Sequence, residues 1–356
     1  MEKIDVVLHK SLEKTFPSFS QRYERIIQFN GLKSRRVFAG EPDFWENVEA
    51  ADSFIYRFSF KPSELQLVTS ILPVIENEFR KNVFPNQQTR WHYDDKTSQY
   101  YLFKAHAFPM VETWIFWDMQ TALDWVQSAP LPLVFKLKGG AGSKNVILVE
   151  TRYLAKKLIN RMFSAQGLSS SGLPGRADLG FIDKIADLGW IKRRIALRRG
   201  HINKSMLNPY WRLDKDYVLF QRFLPGNTCD IRVNIIGERA FVFKRHVRPN
   251  DFRASGSGLI DYDIADVDPE CIKTAFSISQ TLGFQSMAYD FIFDDRGKPW
   301  IAEISYTFVD YPVYKCPGYF DAEMNWHQGH YWPQYCQLQD LLGNYDLKQP
   351  DVAEMF

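Results

Sequence analysis

The sequence predicts an α+β protein whose N-terminal part is α/β, and three observations carry that prediction. Over roughly residues 1–90, strand-like apolar runs alternate with helix-like periodicity. From residue 217 onward the chain turns strand-rich. The stretch 286–306, SMAYDFIFDDRGKPWIAEISY, reads as two strands joined by a turn.

Composition sets the outer bounds. A chain of 356 residues has room for two or three domains. Hydrophobic residues at 45% and charged residues at 24% are ordinary for a soluble globular protein. A net charge of +2 argues against a nucleic-acid partner, which calls for a dominant basic field. No window is apolar for long enough to span a bilayer, so no transmembrane segment is expected. Cys229, Cys271, Cys316 and Cys336 form no C-x-x-C pair, which suits a reducing cytoplasm better than a zinc site. The opening MEKIDVVLHKS reads as a first strand and not as a signal peptide. A homodimer is left open.

Taken in order, IDVVL at 4–8 fits a buried strand. SFSQRYERIIQFNGL follows as a helix, with Ser18 or Ser20 as its cap and Gly31 as its stop. SRRVFAG, FWENVEAAD, SFIYRFSF and ELQLVTSILPVIENEF continue as strand, helix, strand and helix, with Pro73 kinking or dividing the last. This alternation implies parallel pairing. No Gly-rich loop follows the first strand, so no dinucleotide site is expected there. After a polar crossing at 86–96, a helix leads into the strand ending in WIFWD, and Asp118 caps the helix DMQTALDWVQSA.

PLVFKLKGGAGSKNVILVE at 132–150 runs an apolar strand carrying Lys136 into GGAGS and out into a second strand. Gly139, Gly140 and Gly142 permit close backbone approach, and loop amides of this kind cradle phosphate oxygens with Lys136 or Lys138 supplying charge. The same residues also fit a Gly-rich hairpin with an exposed lysine. Beyond it, the basic run at 192–204 is either a solvated face or a contact for an anionic substrate or lipid surface. In CDIRVNIIGERAFVFKRHVR, Asp230 and Arg232 share one strand face and Gly237-Glu238 make a tight turn. PECIKTAFSISQTLG is a helix stopped by Gly283.

If the turn in 286–306 is the four residues Asp295 to Lys298, Asp290 falls opposite Glu303, and Ser305 points to the same face. Two facing carboxylates repel unless a cation lies between them, and oxygen-only ligands suit Mg²⁺. Two surface acids on an ordinary hairpin are the competing reading. His327 and His330 have a metal-like spacing but no third ligand. The tail after 306 is dense in Tyr, Trp and Pro, and it either clasps the neighbouring domain or lines an acceptor pocket.

Over about residues 90–306 the motifs PLVFKLKGGAGSKNV, VLFQRFLPGNTCDIRV, AFVFKRHVRPNDFRASGSG and AYDFIF…WIAEIS resemble, in order and spacing, the ATP-grasp superfamily. The likeness is to its glutathione-synthetase-like and ribosomal-protein-glutamate-ligase-like branch. The resemblance implies an ATP-grasp fold preceded by a Rossmann-like pre-ATP-grasp domain. The domains expected are 1–90 (pre-ATP-grasp), 91–217 (lid subdomain with an inserted basic segment) and 218–356 (C-terminal subdomain with the aromatic tail).

The same resemblance implies ATP and Mg²⁺. Lys96, Lys136 and Lys138 look like nucleotide contacts, and Gly139, Gly140, Gly142 and Ser143 like the lid over the phosphates. Gln221, Arg222, Phe223 and Leu224 look like the hinge that reads adenine, and Asp230 like a residue near the ribose. Arg232 and Arg245, with Lys136, look catalytic. Asp290, Glu303 and Ser305 look like the metal ligands, and Arg248, Arg253, Ser255 and Gly256 like the substrate side. The chain departs from the family pattern at Gln221, where Glu is usual, and at Ser305, where Asn is usual.

The implied activity is a carboxylate–amine ligase working through an acyl phosphate. Its expected partners are a small-molecule or saccharide carboxylate and an amine co-substrate. Members associated with surface polysaccharides suggest an amino acid joined to a uronic acid, a reading motivated here by the aromatic tail and the basic run. The alternatives are a kinase-like phosphotransferase of the same fold and a catalytically decayed nucleotide-binding protein.

Overall fold

The computed structural model describes residues 5–10, 17–140, 145–169, 210–249 and 251–355. Gly142, Ser143, Lys144 and the basic run 192–204 lie outside them.

The first sheet is parallel, in the order β2-β1-β3-β4, from β1 (Asp5–His9), β2 (Lys33–Val37), β3 (Ser53–Ile55) and β4 (Asn82–Phe84). The expected alternation is therefore realised as parallel pairing, with Val6, Val7 and Leu8 fully buried between helices. The first helix begins at Pro17, so Ser18 and Ser20 lie inside it and neither is its cap. Proline's fixed φ suits a first helical turn. The helix Pro62–Pro73 passes at Pro73 into a π-helical turn, Val74–Glu78, which divides the segment as one of the two expectations had it.

The second sheet is antiparallel, in the order β5-β10-β6-β7: β5 (Thr113–Phe116), β6 (Leu133–Lys136), β7 (Val146–Val149) and β10 (Val218–Arg222). A two-stranded ribbon, β8 (Leu168–Ser169) and β9 (Leu213–Asp214), lies between β7 and β10 in the chain. Val218–Arg222 pairs with both β5 and β6, so the chain leaves this sheet after Arg222 and not at 217/218. Cross-strand hydrogen bonding, invisible to local composition, decides that boundary.

The third sheet runs β15-β14-β11-β12-β16-β17, with β13 (Ile260–Asp261) on β12. Its strands are β11 (Cys229–Ile236), β12 (Arg239–His246), β14 (Ser286–Phe293), β15 (Pro299–Ser305), β16 (Gly318–Phe320) and β17 (Trp326–Gln328). The helix Pro269–Leu282 covers one face, burying Cys271, Ile272, Ala275 and Phe276. It stops at Gly283, whose φ of +65° is open to glycine at no steric cost.

The tail divides its contacts. Phe308, Val313, Cys316 and Cys336 pack on the third sheet beside Ile236, Phe241 and Phe243. Trp332, Leu338 and Leu341 join the core of the first sheet with Val6, Tyr23 and Ile26. A buried polar seam ties the two ends of the chain. Arg22 donates to Asp310 at 2.6 Å, Gln334 donates to the same carboxylate at 2.7 Å, and Tyr23 hydrogen-bonds Gln337.

Candidate active site

The site forms where the second and third sheets face each other. β10 and β6 supply one wall, and β11, β12, β14 and β15 the other. Asp290 and Glu303 pair directly across β14 and β15. The turn between them is five residues, Asp294 to Lys298, one longer than the sequence reading assumed. Asp294 explains the length: its Oδ1 accepts from the amides of Arg296 and Lys298, each at 2.9 Å. A bulge restores the register, because Phe291 pairs with Ile301 and Ala302 has no residue opposite. The carbonyl of Ala302 accepts from Lys136 Nζ at 3.4 Å, so the bulge joins the two sheets.

Lys136 is buried at the end of β6, and its Nζ donates to Gln221 Oε1 at 2.6 Å. Gln221 in turn donates to Thr113 Oγ1 at 3.2 Å. Its side chain is thus turned onto the lysine, with its amide nitrogen on Thr113. Burial pulls the Lys136 pKa down to about 8, against the upward pull of Glu303 and Asp290.

Lys96 opens the helix Lys96–Ala105, whose N-cap Asp95 accepts from the amides of Thr97 and Ser98. Its Nζ lies 2.9 Å from Glu303 Oε1 and donates to Gly140 O at 3.3 Å. Burial lowers its pKa, but Glu303 and Asp94 outweigh burial and the net shift is upward.

A row of charges crosses the third sheet. Asp230 pairs with Arg245 across β11 and β12, and Arg232 with Asp290 across β11 and β14. Arg245 Nε and Nη2 reach Asp230 at 2.7 and 2.5 Å, and Nη2 also reaches Asp290 Oδ2 at 2.7 Å. Burial raises the pKa of Asp290, but Arg232 and Arg245 reverse this and hold it far below the usual carboxylate range. At Asp230 burial prevails over Arg245 and the shift is upward.

Two cavities adjoin here. One, of about 350 Å³, runs along β10 and is lined by Lys136, Gln221, Arg222, Phe223, Leu224 and Asp230, among others. The second, of about 430 Å³, is walled by Arg57, Tyr93, Arg232, Arg245, Ser257 and Phe308, among others. Both touch Lys96, Gly140, Ala254, Ser255 and Glu303. Each is of ligand size. Of the expected substrate residues, Ser255 lines both, Gly256 the second and Arg253 the first, where Arg253 is folded onto Asp251. Arg248 lines neither cavity and donates to Gly256 O. Lys138 lines neither; its amide donates to Tyr217 Oη at 2.7 Å, and its Nζ lies 4.0 Å from Asp95. Ser305 lines the second cavity and donates to Thr307 O at 2.9 Å.

The donor set can be tested against Mg²⁺. Asp290 Oδ2 takes N–H groups from both arginines, and Oδ1 takes one from Arg232 at 2.7 Å. That leaves one lone pair on Oδ1, while Glu303 has one oxygen engaged by Lys96. The residues therefore fit an ion that takes few bonds from the protein and completes its shell with phosphate oxygens and water. Among the described residues no cluster of three or more His, Cys, Asp or Glu is placed to hold a metal alone. His327 lies on Asp321, and His330 on the carbonyls of Tyr314 and Cys316.

Sequence reasoning missed Asp94, Arg57, Tyr93, Asn145 and Arg212. The doubled acid of DDK at 94–96 was the one local signal for Asp94. Asn145 holds the glycine loop through Nδ2 to Gly139 O at 2.9 Å.

No family model matches the chain, and no curated protein matches it. Solved structures match over nearly its whole length. D-alanyl-alanine synthetase A from Vibrio cholerae O1 biovar eltor is 10% identical at a TM-score of 0.59, over 97% of this chain and 99% of that one. The ATP-grasp ligase PsnB complexed with minimal precursor is 12% identical at 0.56, over 97% and 100%. N5-carboxyaminoimidazole synthetase from Staphylococcus aureus is 9% identical at 0.55, over 98% and 79%. Sequence motifs, sheet topology and these likenesses agree, and the chain has the ATP-grasp fold.

Proposed function

We propose that the protein is an ATP-dependent carboxylate–amine ligase acting through an acyl phosphate, of the branch that its motifs resemble. The observation that carries the reading is the pair of cavities meeting at Lys96, Gly140, Ser255 and Glu303. Transfer between a nucleotide and a second substrate requires two sites whose reacting ends meet.

In this reading the backbone of Gln221–Leu224 reads adenine in the first cavity and Asp230 lies toward the ribose. Lys96 and Lys136 balance the phosphates, beneath the loop that starts at Gly139. Asp290 and Glu303, with Ser305 through water, would hold Mg²⁺, which would supply charge neutralisation at the phosphates. Arg232 and Arg245 line the second cavity, and each has N–H groups beyond those it gives to aspartate. Those groups orient the carboxylate. Phosphorylation removes its negative charge and provides a leaving group, and the amine then attacks the acyl carbon.

The parallel first sheet serves as a Rossmann-like pre-ATP-grasp domain, contributing Arg57, Ser59 and Phe60 to the second cavity. Of the aromatic tail, Phe308, Val309 and Pro312 reach that cavity, which suits a small-molecule or saccharide carboxylate. The test is ADP release over pooled carboxylates and amines, with mass spectrometry of the product. Release that requires both substrates and yields an amide supports the ligase. Release with a hydroxyl compound alone and a phosphorylated product sinks it.

A further inference from the structure

Asp94 is buried against the glycine loop, and the ligase scheme does not use it. Its side chain is only 7% exposed. Oδ1 accepts from the Gly140 amide at 2.6 Å, and Oδ2 accepts from Arg212 Nη1 at 3.2 Å. Lys96 is close enough for each to shift the other's pKa. The backbone bends to bring the carboxylate there: Asp94 has φ +55°, a region that non-glycine residues seldom enter and that asparagine and aspartate tolerate better than most. The loop is adapted in return. A Cβ at Gly139 would overlap both the Arg212 guanidinium and the Asp94 carboxylate, and Gly140 has φ +99°.

A loop amide, a guanidinium and an ammonium form the donor set that recognises phosphoryl oxygens. Here the amide and the guanidinium hydrogen-bond a carboxylate of the chain itself, while the Lys96 ammonium lies on Glu303 and the Gly140 carbonyl beside them. Asp94 also lines the second cavity beside Lys96, Gly140 and Glu303, where the two cavities meet.

Resting on the nucleotide reading above, we infer that Asp94 is an internal competitor of the outer phosphates of ATP: it holds the Gly140 amide and Arg212 in place, and it is displaced from them when the triphosphate binds. Asp94 is thus a positioning residue that sets how tightly the site holds a triphosphate. A merely structural anchor predicts the opposite, since its removal would loosen the loop and weaken binding.

Calorimetry on the full chain with Mg²⁺ separates the two, using AMPPNP and AMP against the unmodified protein and Asp94→Asn. AMPPNP is expected to bind Asp94→Asn about tenfold tighter, the scale of removing one unit charge near a phosphate. AMP, which lacks the outer phosphates, is expected to bind both equally. Unchanged or weaker AMPPNP binding overturns the inference, and so does an equal gain for AMP. Should Asp94→Asn fail to melt cooperatively, Asp94→Ser carries the same comparison. Failure of the nucleotide reading looks different: the unmodified protein and both variants then bind neither ligand, and the inference falls with it.

Discussion

Arg232 and Asp290 face each other across β11 and β14, joined by two hydrogen bonds of 2.7 and 2.8 Å. Planar guanidinium and carboxylate groups meet edge to edge in such a pair, which fixes orientation as well as charge. Arg232→Met removes half of this arrangement but leaves Asp290 its contact with Arg245. A loss of about 1–3 kcal/mol of stability is expected, less than for a buried charge left wholly unpaired. Urea denaturation of the two proteins measures it.

Lys136 makes the site sensitive to pH. Its pKa is about 8 in the folded protein, against roughly 10.4 in an unfolded chain. Between those values the unfolded state binds more protons, so this group makes stability rise with pH from 8 to about 10.4. Its unfavourable contribution is fully present below 8, where the buried lysine is charged. Nucleotide affinity should run the other way, because a phosphate needs the protonated amine. The AMPPNP dissociation constant is expected to climb toward tenfold per unit above pH 8. Lys136→Met should bind weakly at every pH and show no such climb; a climb of the same size in that variant removes Lys136 as its source.

Glu303 engages Lys96 at 2.9 Å and stands directly across from Asp290. Glu303→Gln keeps the shape and removes the charge. Substrate-dependent ADP release should fall by at least about 100-fold, the usual scale for losing a preorganised electrostatic group. Near-normal release would refute the metal assignment, and an unchanged melting temperature would confirm that the fold survived.

Asp310 is the hub of the seam between the chain's two ends, accepting from Arg22 and Gln334. Both members of the Arg22–Asp310 pair are nearly fully buried. Asp310→Ala is expected to cost about 3–5 kcal/mol, because the arginine keeps its charge in a low-dielectric setting. Arg22→Met with Asp310→Leu should recover part of that loss in a denaturation series.

Much of the site was legible because its residues lie on strands, whose period of two fixes a common face. Asp230 with Arg232, and Glu303 with Ser305, could be placed together from alternation alone. Asp94 was not legible, because a residue at positive φ in a crossing segment has no periodicity to betray its direction. The hairpin was legible in its outcome but not in its means. Asp290 does oppose Glu303, yet through a five-residue turn corrected by a bulge at Ala302.

By itself the sequence determined the local elements, the order of the motifs and the pairing of Asp290 with Glu303 in the hairpin, since apolar periodicity and turn residues act over a few neighbours. Only the tertiary structure decided that β10 belongs with β5 and β6, and that the C-terminal helix Pro333–Leu342 closes the core of the first sheet. It alone brought Lys96, Asp94 and Arg212 to the glycine loop. Those outcomes depend on burial and hydrogen bonding between residues far apart in the chain, 314 positions for Tyr23 and Gln337, and no local pattern encodes them.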